Sequence, residues 1–484
     1  MKVKYIILSI LIIVATGLTA QDRTSAFRFS QDYPVGTARF VAMGGAFGAV
    51  GADFTSSSVN PAGIGLYRSS EFTFTPAYQL INVESNFNGY KGSDQATNLS
   101  IANLGLVTPF QTGNEHGLIS TTLAFGYNGL NNFSSNTMMQ AINENSSLLD
   151  NFTLNANENN ELDIFYEDLA FETLLMPYDT IAGEYWHDLE NVYGQEQIRT
   201  VEKSGYKGEY TFSAAMNINH QLYVGATMGV HVVRFNENIY HEETDINDLD
   251  STFNSFTFKE YNSTNGYGIG LKIGILYKPV HSVRLGVAFH GPVVYGLTDD
   301  KFTEMDSYWD AGSGISDSYA SSDLWSYEYS LRSPYRASAS AAFLIGSYGL
   351  ISAEYEYIDY STADLNSVND KFIRENRAIS EDFTVAHNLK SGVEIKLNSI
   401  YLRGGFQYYS NPFADKRNGS DRFVYSGGIG FRSNQTFIDL AYSYGTRSEL
   451  YGLYDFNPDA EGGFEKSINS YRKSNLMVTL GYNF

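Results

Sequence analysis

Residues 266–277 alternate, with Tyr267, Ile269, Leu271, Ile273, Ile275 and Tyr277 on one face and Gly266, Gly268, Gly270, Lys272 and Gly274 on the other. A period of two held for about ten residues defines a β-strand long enough to cross a bilayer when tilted. A soluble sandwich would bury the first face, whereas a barrel in lipid exposes it. The pattern recurs in residues 222–232, in 351–357 with Ser352, Glu354 and Glu356 opposite, in 402–408 with Arg403, Gly405 and Gln407 opposite, and in 438–444. Lipid penalises an Arg or Lys near the midplane by about 2–4 kcal/mol, so the charged face belongs to a watery interior.

The connections between these segments alternate in length. Short turns fall at residues 219–221, 279–282, 346–348, 397–399 and 433–436, with a slightly longer link at 110–116. Long polar connections fall at 82–98, 129–206, 242–254, 297–325, 361–381, 410–421 and 447–470. Short periplasmic turns opposite long outer loops, with about 14 strands between residues 71 and 484, predict a transmembrane antiparallel β-barrel. The last strand sets Leu476, Val478, Leu480, Tyr482 and Phe484 against Met477, Thr479, Gly481 and Asn483, and the chain stops on an aromatic. Tyr482 and Phe484 resemble the C-terminal signal that the barrel-assembly machinery reads on outer-membrane clients.

The remaining features agree with export to a Gram-negative outer membrane. Lys2 and Lys4 precede an apolar run and a small-residue stretch ending at Ala20, which predicts a signal peptide over residues 1–20. No later stretch approaches the roughly 20 apolar residues of a spanning helix. There is no Cys, which excludes a lipoprotein anchor and a disulfide framework. The 37 Tyr, 32 Phe and 44 Gly suit interfacial rings and a lumen lined by small residues. A net charge of −22 repels phosphate backbones and argues against nucleic-acid binding. Within the longest connection, residues 162–176 place Leu162, Phe165, Tyr166, Leu169 and Leu174 near helical spacing, and a second short helix is expected over 184–201. This partly helical loop is read as a cap on the barrel rim, or as a groove that catches an apolar ligand.

Residues 21–70 do not read as a spanning strand. The run 36–53 is dense in Gly and Ala, and Asn60-Pro61-Ala62-Gly63 follows just before the first strand. Small residues permit close backbone packing, and such a segment folds compactly inside a pore. A Gly/Ala-rich exported N-terminus, then Asn-Pro-Ala-Gly, then about 14 strands ending in Phe, resembles the FadL family of outer-membrane transporters for long-chain fatty acids and aromatic hydrocarbons. The resemblance implies a hatch over residues 21–70 containing Asn60, Pro61, Ala62 and Gly63, inside a barrel over 71–484. It also implies passive uptake of a hydrophobic compound by a monomer seated in outer-membrane lipid, with sideways discharge at a kinked third strand. Gly126 and Gly129, at the end of the third strand here, are the glycines that would loosen pairing there.

A carboxylate ligand would need a cationic partner once buried. Alternation places Lys272, Arg336 and Arg403 on the lumen face, which makes them candidate head-group contacts or partners of lumen carboxylates such as Glu354, Glu356 and Glu394. No catalytic motif appears: there is no Gly-x-Ser-x-Gly elbow and no His-Glu-x-x-His helix. The eight His are scattered without haem-ligand spacing, and residues 245–250 lack the Gly and terminal Glu of a calcium loop, so no cofactor or metal is expected. An adhesive or structural barrel, or a general porin, are the rival readings.

Overall fold

The structure is a computed structural model, and it describes residues 23–159, 161–190, 192–455 and 464–484. The expected signal peptide lies outside the described residues. Among those residues, fourteen strands form a closed antiparallel barrel. They are β1 (Glu71–Phe87), β2 (Tyr90–Gln111), β3 (Leu118–Asn132), β4 (Gln195–Ile218), β5 (Leu222–Thr244), β6 (Phe253–Val280) and a two-part β7 (Val283–His290 and Val294–Trp309). The wall continues through a two-part β8 (Trp325–Arg332 and Arg336–Ile345), β9 (Gly349–Asp359), β10 (Val385–Leu397), β11 (Ile400–Tyr409), β12 (Arg422–Arg432), β13 (Thr436–Asp455) and β14 (Phe464–Asn483). Each pairs with its sequence neighbour, and β1 closes the ring on β14 from Glu71 opposite Asn483 to Phe87 opposite Ser467. Closure removes the sheet edge that hydrocarbon would leave without hydrogen bonds.

Inside and outside follow the alternation. On β6, Tyr267, Ile269, Leu271, Ile273, Ile275 and Tyr277 are exposed outward, while Lys272 and Leu276 are buried inward. On β14, Leu476, Leu480 and Tyr482 face out and Met477 and Thr479 face in. Tyr482 and Phe484 stack at 6.1 Å, and Phe484 exchanges backbone hydrogen bonds with Ser70, which seals the lower rim.

Several boundaries differ from expectation. Residues 82–98 are not a loose connection: β1 and β2 climb to a two-residue Asn88-Gly89 turn with φ of 49° and 86°, the left-handed pair that matches hairpin twist. The helix expected over 162–176 is confined to α5 (Glu167–Glu172), and in place of a helix over 184–201 the chain enters β4 at Gln195. The outer loops also hold two helices beyond those expected there, α4 (Leu148–Glu158), opened by a capping box of Ser147 and Asp150, and α6 (Ile373–Asp382). The strand expected over 283–296 breaks at Gly291-Pro292, and the one over 326–345 breaks beside it at Ser333-Pro334, because proline has no ladder N–H to give. Leu148, Leu149, Phe152 and Leu169 of the cap are buried with Phe253, Phe256, Phe258, Met305 and Trp309 from the strand extensions.

A plug of small residues and a break in the wall

Residues 23–66 lie inside the barrel as α1 (Arg23–Ser30), α2 (Ala38–Ala42), α3 (Ser56–Val59) and a 3-10 turn over Pro61–Leu66. Local chemistry shapes each piece. Thr37 accepts the Phe40 N–H at 3.2 Å as the N-cap of α2, Gly44 takes the left-handed φ of 60° that ends it, and Asn60 caps the 3-10 turn with Pro61 at its start. The Gly/Ala run then meets glycines of the wall. Gly405 lies under Gly44, Gly286 under Gly48, Gly225 under Pro61 and Gly274 under Asn60; a methyl at any of these wall positions would overlap the segment's backbone or side chain. Phe54 stands on Gly105 and Gly126, which face each other across β2 and β3.

Polar groups complete the docking. Asn60 Nδ2 donates to Gly48 O at 2.6 Å and to Ile275 O at 3.3 Å, and its Oδ1 accepts the Ala62 N–H at 3.2 Å. His290 Nε2 meets Val59 O at 2.7 Å, so the ring carries its proton there. Gly48 N–H donates to Glu354 at 2.8 Å, and Arg39 forks onto Glu394 at 2.9 and 3.1 Å. Pro61, Ala62 and Gly63 are buried.

The three cations singled out in the sequence are all paired. Lys272 donates to Glu209 at 2.5 and 2.6 Å, and Ser58 of the plug donates to the same carboxylate at 2.7 Å. Arg403 lies between Glu394 at 2.7 Å and Asp439 at 2.5 Å. Arg336 reaches Asp32 at 3.0 Å and Ser30 O at 2.5 Å. Lys207, which sequence reasoning missed, takes the other oxygen of Asp32 at 2.6 Å and Phe29 O at 2.6 Å. Two cations thus hold the carbonyl end of α1, where its dipole favours them. A cavity of about 10 Å³, room for one water, remains among Asp32, His231, Lys272, His290 and Arg336.

Above the plug the lumen is aromatic. Phe27 stacks on Phe383 at 4.6 Å and meets Tyr360 edge-on, while Phe29 packs edge-on against Phe133 and Phe235. Higher still, Arg199 is 7% exposed, and no described residue offers its Nε or Nη1 a hydrogen bond. Its guanidinium lies 5.8 Å from the Tyr451 ring.

The wall itself has a break. The β2 and β3 ladder runs from Gln111 opposite Ser120 to Asn103 opposite Asn128 and stops there, while β2 continues beside β1 to Tyr90. Gly126 lies within the intact ladder as the seat of Phe54; Gly129 is the first residue beyond the last pair. The carbonyls of Gly129 and Leu130 turn inward and accept the Val35 and Tyr33 N–H at 2.9 and 2.7 Å. Asn103 donates to Asn128 at 2.7 Å, and Asn128 donates to Ser57 and Ser58 at 3.1 and 2.8 Å. Leu99, 78% exposed, and Ile101 keep the outer flank of the break apolar.

Residues 201–451, just over half of the chain, match the family of outer membrane protein transport proteins (OMPP1/FadL/TodX). The chain belongs to this family. Its members' barrel is the fold seen here, and the outer membrane is its location. A FadL homologue of Pseudomonas aeruginosa shares 15% identity at a TM-score of 0.56, covering 94% of this chain and 99% of its own. The toluene transporter TbuX of Ralstonia pickettii shares 13% at 0.51, over 93% and 98%, and TodX of Pseudomonas putida shares 11% at 0.51, over 94% and 100%. At such identities the likeness to these solved structures shows the fold alone. No curated protein matches.

Proposed function

We propose that this FadL/TodX-family barrel carries hydrophobic compounds inward by diffusion, with residues 21–70 as a hatch and the break between β2 and β3 as a sideways exit. The observation that carries the reading is the break itself: the ladder is lost where the outer face still bears Leu99 and Ile101 and the interior below is filled by the N-terminal segment. A ligand that leaves water gains about 25 cal/mol per Å² of apolar surface, so a lipid-facing exit is downhill where an aqueous one is not. Capture would begin on the cap, whose Ile164, Phe171, Leu174, Ile181 and Trp186 are exposed. Tyr482 and Phe484 are proposed as the signal read during assembly.

Family membership leaves fatty acids and neutral hydrocarbons both open. Lys272, Arg336 and Arg403 could receive a head group only if their pairs opened, so the carboxylate reading rests better on Arg199, a buried cation with free donors.

The test is expression in a bacterial strain stripped of its own uptake of hydrophobic compounds, together with planar-bilayer recording of the purified protein. Restored uptake of fatty acid or toluene with little steady ion conductance supports the reading. Large, steady conductance without uptake supports a porin instead. Arg199→Gln separates the two ligand classes, since it weakens uptake of a carboxylate by tenfold or more on the order of a lost charged hydrogen bond and leaves toluene unchanged.

A further inference from the structure

We propose that residues 32–35 hold the wall open: the docked N-terminal segment occupies the β3 carbonyls that would otherwise pair with β2, so the break exists only while the segment is docked. The argument starts from two acceptors. In a membrane wall every backbone carbonyl needs a donor. Gly129 O and Leu130 O are next in line after the last β2 and β3 pair, and they accept from Val35 and Tyr33 instead of from β2. Two consecutive carbonyls on one side require a bulge, and the β3 register on β4 shifts between Gly129 and Asn131. The same two acceptors therefore have two alternative sets of donors.

The alternative partner is within reach. A Cβ at Gly129 would lie 3.5 Å from Ala102 O, so β3 has turned its carbonyls away without moving far from β2. Beyond Asn103, β2 pairs with β1 alone among the described strands, and its facing edge carries no ladder over residues 99–102; higher up, the Asn98 side chain donates to Ser134 and Gln95 O accepts from the Asn136 side chain. An open edge is a template for zipping.

What keeps the segment in place is built into both ends of the contact. Asp32, immediately before Tyr33, is gripped by Lys207 and Arg336. On the far side, Ser57 and Ser58 receive Asn128, the last residue of β3 paired with β2, and Ser58 passes the contact on to Glu209 and Lys272. Release of the segment frees Gly129 O and Leu130 O, and β3 then satisfies them by zipping onto β2. The exit to lipid and an opening below the plug become mutually exclusive states of one molecule. This consequence rests on the reading of the break as an exit; the hydrogen-bond exchange does not.

The test uses the absence of native Cys. Ile101→Cys is combined with Leu130→Cys, and in a second protein with Asn131→Cys, to cover both registers of a zipped wall. Disulfide formation is followed in isolated outer membranes without any transported compound, so the result is independent of whether uptake occurs. Adding Val35→Pro deletes the N–H that holds Gly129 O, and adding Asp32→Asn loosens the grip while keeping every backbone donor. We expect crosslinking to be slow in the parent pairs and at least tenfold faster in one register with either change, in protein whose heat-shifted gel band shows a folded barrel. Should Val35→Pro fail to fold, Asp32→Asn decides alone. Equal rates with and without the changes, or fast crosslinking already in both parents, would overturn the proposal.

Discussion

Asn60 and the glycine beneath it offer the sharpest perturbation of the plug. Gly274→Ala places a methyl on Asn60 Oδ1, a collision that the packed wall can relieve only by displacing the Asn60 side chain. Three hydrogen bonds go with it, to Gly48 O, Ile275 O and from Ala62 N–H. At about 1 kcal/mol net each, docking of the segment weakens by about 2–4 kcal/mol. Every 1.4 kcal/mol is tenfold, so the undocked fraction rises roughly 30- to 1,000-fold. The readout is maleimide labelling of Val59→Cys, buried at 5% exposure and the single thiol of the chain. When redocking outpaces labelling, the rate follows the open fraction. Gly404→Ala is the control, because its methyl meets nothing nearer than Val393 at 3.6 Å. Labelling of Gly274→Ala no faster than the control, in a folded barrel, would refute the reasoning.

Glu209→Gln leaves Lys272 buried without its carboxylate; we expect a loss of about 3–5 kcal/mol, read as a drop in the temperature at which the folded gel band disappears. The Asp32 carboxyl, outside the spanning strands, is pushed up by burial, but Arg336 and Lys207 outweigh this and hold it well below the usual carboxylate range. Its contribution to docking is therefore complete above the unfolded value of about 3.9 and is lost only as pH falls from there through its depressed folded value. Because only the thiolate reacts with maleimide, Val59→Cys labelling is taken as a ratio to that of a free thiol at the same pH; the ratio should stay flat from neutrality to about pH 5 and rise only in stronger acid, whereas Asp32→Asn should show a higher ratio at neutral pH and little of that rise.

Where lipid lies on one side and the lumen on the other, the fold was legible, because each strand residue then has a single permitted polarity. Residues 266–277 and the final strand were read to the correct face for that reason. Legibility failed where the outer face meets water instead of lipid. Above the membrane β1 and β2 are polar outside and turn in few apolar residues, Val83 and Phe87 among them, so residues 82–98 looked like a loop although Asn88-Gly89 announced a hairpin turn. The β4 extension from Gln195 was lost in the same way. Helix α4 had a readable signal in Ser147 and Asp150, whereas the apolar spacing in 162–176 mixed one short helix with turns.

At the site, Lys272, Arg336 and Arg403 were placed correctly on the lumen face, yet alternation gives a side and not a partner. That Asp32, more than 300 residues from Arg336, would claim it depends on how the segment threads the lumen. For the break after Asn103 and Asn128 only the family resemblance pointed to the third strand, at Gly126 and Gly129: glycine abounds in these strands, Gly126 proves to be a seat for Phe54, and the ladder ends just before Gly129, where backbone donors of the N-terminal segment take the carbonyls and no side chain records it.

The central claim is that hydrophobic compounds leave through the wall. It is tested most directly by measuring uptake of a hydrophobic tracer while the break is closed by a disulfide between Ile101→Cys and Leu130→Cys. The account predicts that uptake is lost when the link is complete and returns on reduction. Undiminished uptake through a fully linked barrel would contradict it.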